Sequence, residues 1–273
     1  MLGRLYSALI VTALCAASAI AQTPDLVFAV TEGVTYQATP KEIRDKFAPL
    51  AEVLGKALNR NVRTIVIPAY DDLRAGLAKQ EYDLAFVHPA HVAMTEIKAG
   101  RYKAAAWTLG FTDYSVALMM NAGQPLKAMG DLRGHTLVTP DPDSITAVMV
   151  RAMFREEQLT DKEVKVLTTR YQDAVPFYIQ HGFAQVGATA AKSVIKAWTD
   201  KGGKVLLQSR PVPIKQFIVS TRLPAGEQER IREALVGLGD TKPGRAALSV
   251  VGYRGFAAPA TDVEATTIAW LGL

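Results

Sequence analysis

The sequence predicts an α/β protein of two lobes joined by two crossings of the chain. Short apolar runs alternate with segments of helical period, the pattern of β-α units. The alternation runs once to about residue 109 and restarts near residue 136. A chain of 273 residues with 49% hydrophobic content can bury one large core or two medium ones, and two match ordinary domain sizes better.

In the first unit, 25–30 reads as a strand. Thr39, Pro40 and Glu42 then form a capping box with proline at the first helical position. The helix that follows runs to about residue 58, with Ile43, Phe47, Leu50, Leu54 and Leu58 on one face. A strand at 62–67, a helix at 71–79 capped by Asp71 or Asp72, a strand at 84–87 and a helix at 89–99 complete the unit. Strands at 102–109 and 115–120 lead into the second unit, where strands at 136–138, 164–167 and 185–188 alternate with helices at 144–157, 172–180 and 191–201. Strands at 205–208 and 217–220 close the series, and helices at 225–238 and 242–251 are expected to pack back on the first lobe. The crossings fall near 110–115 and 210–222, with Gly110 supplying hinge freedom. This gives lobe 1 as 22–111 plus 221–273 and lobe 2 as 112–220. A cleft between such lobes, at the carboxyl ends of strands, is the expected ligand site.

The first 21 residues read as a cleaved secretory signal peptide: Arg4 gives a positive start, 5–20 is apolar, and Ala19-Ile20-Ala21 is a small-residue cleavage site. The single cysteine, Cys15, lies inside it, leaving a mature chain from Gln22 without thiols, as suits an oxidising periplasm. Lipidation of Cys15 fits less well, because the bulky Leu14 precedes it. The formal charge of +5 is spread without basic runs, which argues against nucleic acid as a partner and is compatible with a small anion. No nucleophile elbow, phosphate-binding loop, dinucleotide glycine pattern or H-E-x-x-H occurs, so the case for an enzyme is thin, and no cofactor or metal is expected.

Four places could contact a ligand. Pro140, Pro142, Asp141 and Asp143 crowd ahead of Ser144, forcing an abrupt helix start. The free amides of Ser144, Ile145, Thr146 and Ala147, with two hydroxyls, could receive an oxyanion there. Simple capping by Ser144 explains the same residues and, on local sequence alone, is the commoner case. Tyr70 stands at a strand end, where it could face a ligand or pack on the first helix. His88 and His91 bracket Pro89: loop histidines first, ligand contacts next, a metal pair last. Tyr114 lies at the first crossing, facing the cleft.

The chain resembles the phosphate/phosphite/phosphonate-binding family of periplasmic solute-binding proteins that serve ABC transporters. The resemblance is carried, in order, by Phe47-Ala-Pro-Leu-Ala-Glu-Val-Leu-Gly, Tyr82-Asp-Leu-Ala-Phe-Val-His-Pro-Ala, Gly130-Asp-Leu-Arg-Gly-His-Thr-Leu and Pro140-Asp-Pro-Asp-Ser-Ile-Thr-Ala. It continues in Thr241-Lys-Pro-Gly-Arg-Ala-Ala-Leu and Val251-Gly-Tyr-Arg-Gly-Phe, and covers about 230 residues. It implies the type II periplasmic binding protein fold and an oxyanion held at Ser144 to Ala147, with Tyr70 and Tyr114 at or near ligand-facing positions; His88, at its strand end, is expected to contribute beside them. Where relatives often place a histidine, this chain has Tyr171 and Gln172, so Gln172 would take its part. Where aminophosphonate binders place acids, the matching positions fall near Lys192 and Lys215. These would repel an amine and favour phosphate, phosphite, an alkylphosphonate or a ligand with an added carboxylate. The implied partner is an inner-membrane permease or, alternatively, a periplasmic sensor-kinase domain; the protein is expected to be a monomer.

Overall fold

The structure, a computed structural model, describes residues 24–32, 38–160 and 162–273. The expected signal peptide lies outside the described residues.

The first helix forms as its sequence dictates. The Thr39 side chain accepts from the Glu42 amide while Glu42 Oε2 accepts from the Thr39 amide at 2.7 Å, starting α1 (Pro40–Leu58). Asn59 at φ 50° ends it in a left-handed turn. The five apolar residues of its face are all buried. They rest on a mixed sheet in which β2 (Val62–Val66), β1 (Leu26–Thr31) and β3 (Leu84–Val87) run parallel. Next come β10 (Gln216–Ser220), antiparallel to β3, then β4 (Tyr102–Thr108) and β11 (Phe256–Ala257). Phe28, Phe86 and Phe217, on three adjacent strands, meet Phe47 from α1 with ring centroids 4.9 to 6.1 Å apart, and this aromatic stack is the centre of the first core. Helices α2 (Tyr70–Ala78) and α3 (Ala90–Lys98) follow β2 and β3.

The second sheet has the order β7 (Lys165–Thr168), β6 (Thr136–Thr139), β8 (Val186–Thr189), β5 (Ala117–Met120) and β9 (Lys204–Gln208). The first three strands are parallel, and β5 and β9 are antiparallel additions. Its helices are α4 (Ile145–Glu156), α5 (Val175–Gln180) and α6 (Lys192–Asp200). The chain crosses between sheets at 109–116 and 209–215. The two crossings pair with each other: Tyr114 and Val212 exchange backbone hydrogen bonds at 3.2 and 2.9 Å, and the Ile214 amide donates to Phe111.

Several elements differ from expectation. Cutting the chain at 220 places β10 with the second lobe, but the strand lies in the first sheet, so the return crossing ends by residue 215. Ala69, not Asp71 or Asp72, is the cap position of α2; Asp71 pairs instead with Arg74 at 3.0 Å. The helix expected at 172–180 divides into a 3-10 turn at Gln172–Ala174 and a short α5. Pro176, lacking an amide hydrogen, suits the first turn of α5 and not the interior of a continuous helix. Helices α7 (Ala225–Val236) and α8 (Lys242–Val251) do pack on α1. A further helix, α9 (Thr261–Leu271), went unpredicted because five of its eleven residues are β-branched and weaken the helical signal. It lies against both α3 and α4, and the Trp270 carbonyl accepts from Arg155 of α4 at 2.8 Å.

The start of α8 supplies a stability test. Thr241 Oγ1 accepts from the Gly244 amide, and a Cβ at Gly244 would come within 2.0 Å of the Leu238 carbonyl oxygen. Backbone cannot yield as a flexible side chain does. Gly244→Ala is expected to cost about 2 kcal/mol, read by urea unfolding.

Candidate functional site

A cleft of about 190 Å³ lies between the two sheets, where the crossings meet the tips of β3, β6 and β7. Tyr70, His88, Pro89 and Lys215 line it from the first lobe, Phe111, Tyr114 and Ile214 from the crossings, and Pro140, Asp141, Ser144, Ile145, Thr146, Arg170 and Gln172 from the second lobe. The lobes also touch beside it. Ala90 and Met94 of α3 share one apolar cluster with Ile145 and Met149 of α4, and Arg74 of α2 pairs with Asp143 at 3.2 Å.

The second-lobe wall is the start of α4. Asp141 shapes the approach: its carboxylate accepts from the Asp143 amide and its carbonyl from the Ser144 amide, both at 2.8 Å. Ser144 is extended, with φ −69° and ψ 147°, and its hydroxyl caps the Ala147 amide at 3.2 Å. Helix geometry gives the Ile145 and Thr146 amides no acceptor within the helix, and both residues line the cleft. The positive end of the helix dipole adds to their attraction for an anion.

Thr146 is fully buried, and its Oγ1 lies 2.7 Å from the Tyr114 hydroxyl. Gln172 approaches the same phenol through Nε2 at 3.3 Å, while its Oε1 accepts from Thr189 Oγ1 and from the Ala190 amide. Those two donors fix the amide with its NH₂ toward Tyr114. With Gln172 donating to its oxygen, Tyr114 can donate to Thr146, leaving the Thr146 hydrogen for a ligand. Burial raises the Tyr114 pKa, so the phenol stays a neutral donor.

The opposite wall carries two titratable groups whose pKa values burial lowers, one neutral and one cationic at pH 7. His88 Nδ1 is 3.1 Å from the Ile214 carbonyl, which places the hydrogen on Nδ1 and leaves Nε2 as an acceptor. Burial first, and the nearby Lys215 charge second, lower its pKa to about 4. His88 is therefore neutral at pH 7. Lys215, only 3% exposed, packs over the rings of Phe111 at 4.5 Å and Tyr253 at 5.1 Å and donates to the Tyr253 hydroxyl at 3.1 Å. Burial lowers its pKa to about 8, against the opposing pull of Glu32. It remains mainly cationic at neutral pH.

Of the residues named from sequence, Ser144, Ile145, Thr146, Tyr70, His88, Tyr114, Gln172 and Lys215 come together in this cleft. Two do not. The Ala147 amide is held by Ser144, and Ala147 lines a different hollow, with Arg151 and Phe154, on the other face of α4. Lys192 stands at the exposed start of α6, paired with Asp113 at 3.2 Å on the surface. His91 is buried behind the cleft near Arg74, Asp143 and Arg151, and burial lowers its pKa to about 4. Among the described residues no group of three or more His, Cys, Asp or Glu side chains gathers as a metal site. Arg170 and Asp141 were missed. Arg170 follows β7, stacked 5.3 Å from the Tyr171 ring, and its position beyond a strand's carboxyl end was the available signal.

Residues 33–263 match the family model for the phosphonate ABC transporter periplasmic substrate-binding protein. The chain belongs to this family. Its members are periplasmic substrate-binding proteins of ABC transporters, not enzymes. Among curated proteins none matches significantly. Among solved structures, a Xanthomonas citri protein bound to ATP aligns with a TM-score of 0.73 at 15% identity, covering 92% of this chain and 98% of that one. PhnD1 from Prochlorococcus marinus in complex with methylphosphonate aligns with a TM-score of 0.63 at 13% identity, covering 90% and 96%. A binding component of a Pseudomonas aeruginosa ABC phosphonate transporter gives 0.61 at 16% identity, covering 91% and 85%. At such identities the likeness is one of fold, and it is the type II periplasmic binding fold that the sequence predicted.

Proposed function

We propose that this protein captures a small phosphorus oxyanion in the interlobe cleft and delivers it to an inner-membrane permease. The observation that carries the reading is the convergence, in one small cleft, of the open amides of α4 with the buried ammonium of Lys215. Preorganised donors and a desolvated cation on facing walls favour an anion held between them. A cavity of about 190 Å³ holds several waters, room enough for phosphite, phosphate or a short alkylphosphonate. Neutral His88 adds an acceptor, which suits an oxyanion that keeps one hydroxyl proton, as phosphonates do near neutrality and sulfonates do not. The two paired crossings serve as the hinge about which the lobes close, and the protein acts as a monomer.

A thermal-shift panel tests the ligand class. Methylphosphonate, phosphite or phosphate at roughly a hundred times its Kd should add about 2.7 kcal/mol of stability. Methanesulfonate and 2-aminoethylphosphonate should add much less, the first for want of a proton and the second because Lys215 opposes its ammonium. A shift with 2-aminoethylphosphonate as large as with methylphosphonate would overturn the charge argument. Loss of methylphosphonate uptake on deleting the gene would support import; unchanged uptake would favour a sensory role.

A further inference from the structure

The wall behind Lys215 contains a chain of buried groups that ligand contact alone does not require. Glu32 follows β1 with its side chain 1% exposed, and both of its oxygens accept from Lys46 of α1 at 2.8 Å. The same carboxylate accepts from the Tyr253 hydroxyl at 2.7 Å, and that hydroxyl accepts from Lys215. A buried Glu–Lys pair is complete without the phenol. Tyr253 extends the carboxylate's influence to a second ammonium, the one that lines the cleft.

We propose that Glu32, acting through Tyr253, is the positioning residue that keeps Lys215 protonated and directed at the cleft, and so sets the upper pH limit of anion capture. This rests on the oxyanion reading of the cleft. Among the described residues, the groups facing Lys215 include Glu32 at the end of β1, Lys46 on α1, His88 beyond β3, Phe111 on the first crossing and Tyr253 after α8. Asp141 and Arg170 stand in the second-lobe wall of the same cleft. Burial and Lys46 drive the ammonium toward neutrality; Glu32 opposes both, and the balance leaves its pKa at about 8. Because His88 is neutral at physiological pH, it neither supplies the missing charge nor repels the lysine.

Removing the carboxylate charge therefore shifts the balance one way. In Glu32→Gln the protonation midpoint of Lys215 should fall by about one pH unit or more. NMR of ¹³Cε-labelled lysine, with the Lys215 signal assigned from Lys215→Arg, reads that midpoint without any ligand. Titration calorimetry with methylphosphonate from about pH 6 to pH 9, each variant compared with the parent at the same pH, cancels the ligand's own ionisation. Glu32→Gln should lose least affinity at pH 6, about fivefold near pH 8 and close to tenfold at pH 9. Adding Lys215→Arg should flatten the fall-off, since a guanidinium stays charged throughout. Tyr253→Phe keeps the Glu32–Lys46 pair and should shift the midpoint in the same direction by less, which carries the test should Glu32→Gln fail to fold.

An unmoved Lys215 midpoint, or an affinity loss equal at every pH, would overturn the inference and mark Glu32 as merely structural. A midpoint that moves in a protein that fails to bind methylphosphonate at pH 6 would support the relay and overturn the oxyanion reading instead.

Discussion

Replacing Lys215 with methionine should make the ligand-free protein more stable while removing its affinity for anions. The two effects share one cause. An ammonium buried among Phe111, Tyr253 and Ile214 is costly to desolvate, and its pKa of about 8 against an ordinary 10.5 puts that cost on the order of 3 kcal/mol. Methionine has nearly the same length, no charge and a flexible thioether that fills irregular space. Because the folded pKa lies below the unfolded one, the cost is present in full below about pH 8 and is relieved as pH rises toward 10.5. The melting advantage of Lys215→Met should thus be greatest at neutral pH and shrink in alkaline buffer. Truncating one partner of a desolvated charge contact costs about 2–5 kcal/mol of binding, so methylphosphonate affinity should fall at least thirtyfold. Calorimetry of unfolding and of binding on the same sample checks both signs. A variant that melts lower than its parent, or that binds as well, would show that the lysine is not a stored cost spent on ligand.

The cleft was legible in the sequence to the extent that its residues sit at element ends. His88 closes a strand, Tyr70 opens a helix and Ser144 follows two prolines, and element ends are what periodicity and turn chemistry mark best. The meaning of those residues was less legible. Ser144 turned out to cap its own helix, which spends the Ala147 amide and leaves only the two preceding ones open. Lys192 and Lys215 carry the same charge, yet one lies on the surface and the other is buried in the wall of the cleft over two aromatic rings. Burial of a lysine depends on which strands and crossings meet above it, and those contacts span long sequence separations. Glu32 and Tyr253, 221 residues apart, gave no sequence signal of belonging to the same site.

The alternation of elements was read correctly for β1 to β10, each a short run rich in apolar residues, whereas the two-residue edge strand β11 is too short to show a pattern and was missed. The reading also failed where burial has another source. The α9 helix is wedged between α3 and α4, so its apolar residues need not fall on one stripe, and β-branched threonines hide its period. Strand β10 shows the same limit in topology. Its apolar run is plain, but only pairing reveals that it returns to the first sheet between β3 and β4.

That return makes Phe86→Ala the most damaging single substitution expected in the first lobe. Phe86 is fully buried, and its ring lies 4.9 Å from Phe217 of β10, 5.1 Å from Phe47 of α1 and 5.6 Å from Tyr253. Deleting it removes one ring from three contacts and opens a cavity that a sheet held by β1 and β10 on either side of β3 cannot collapse to fill. The expected loss is about 3–5 kcal/mol, which for a chain of this size lowers the melting temperature on the order of 10 °C. The cavity also abuts Tyr253, the middle of the relay to Lys215, so binding should weaken even at temperatures where the protein is folded. Phe86→Leu, which keeps most of the volume, should recover more than half of the stability. If Phe86→Ala melted within 3 °C of its parent, the aromatic stack would not be the support on which this wall of the cleft stands.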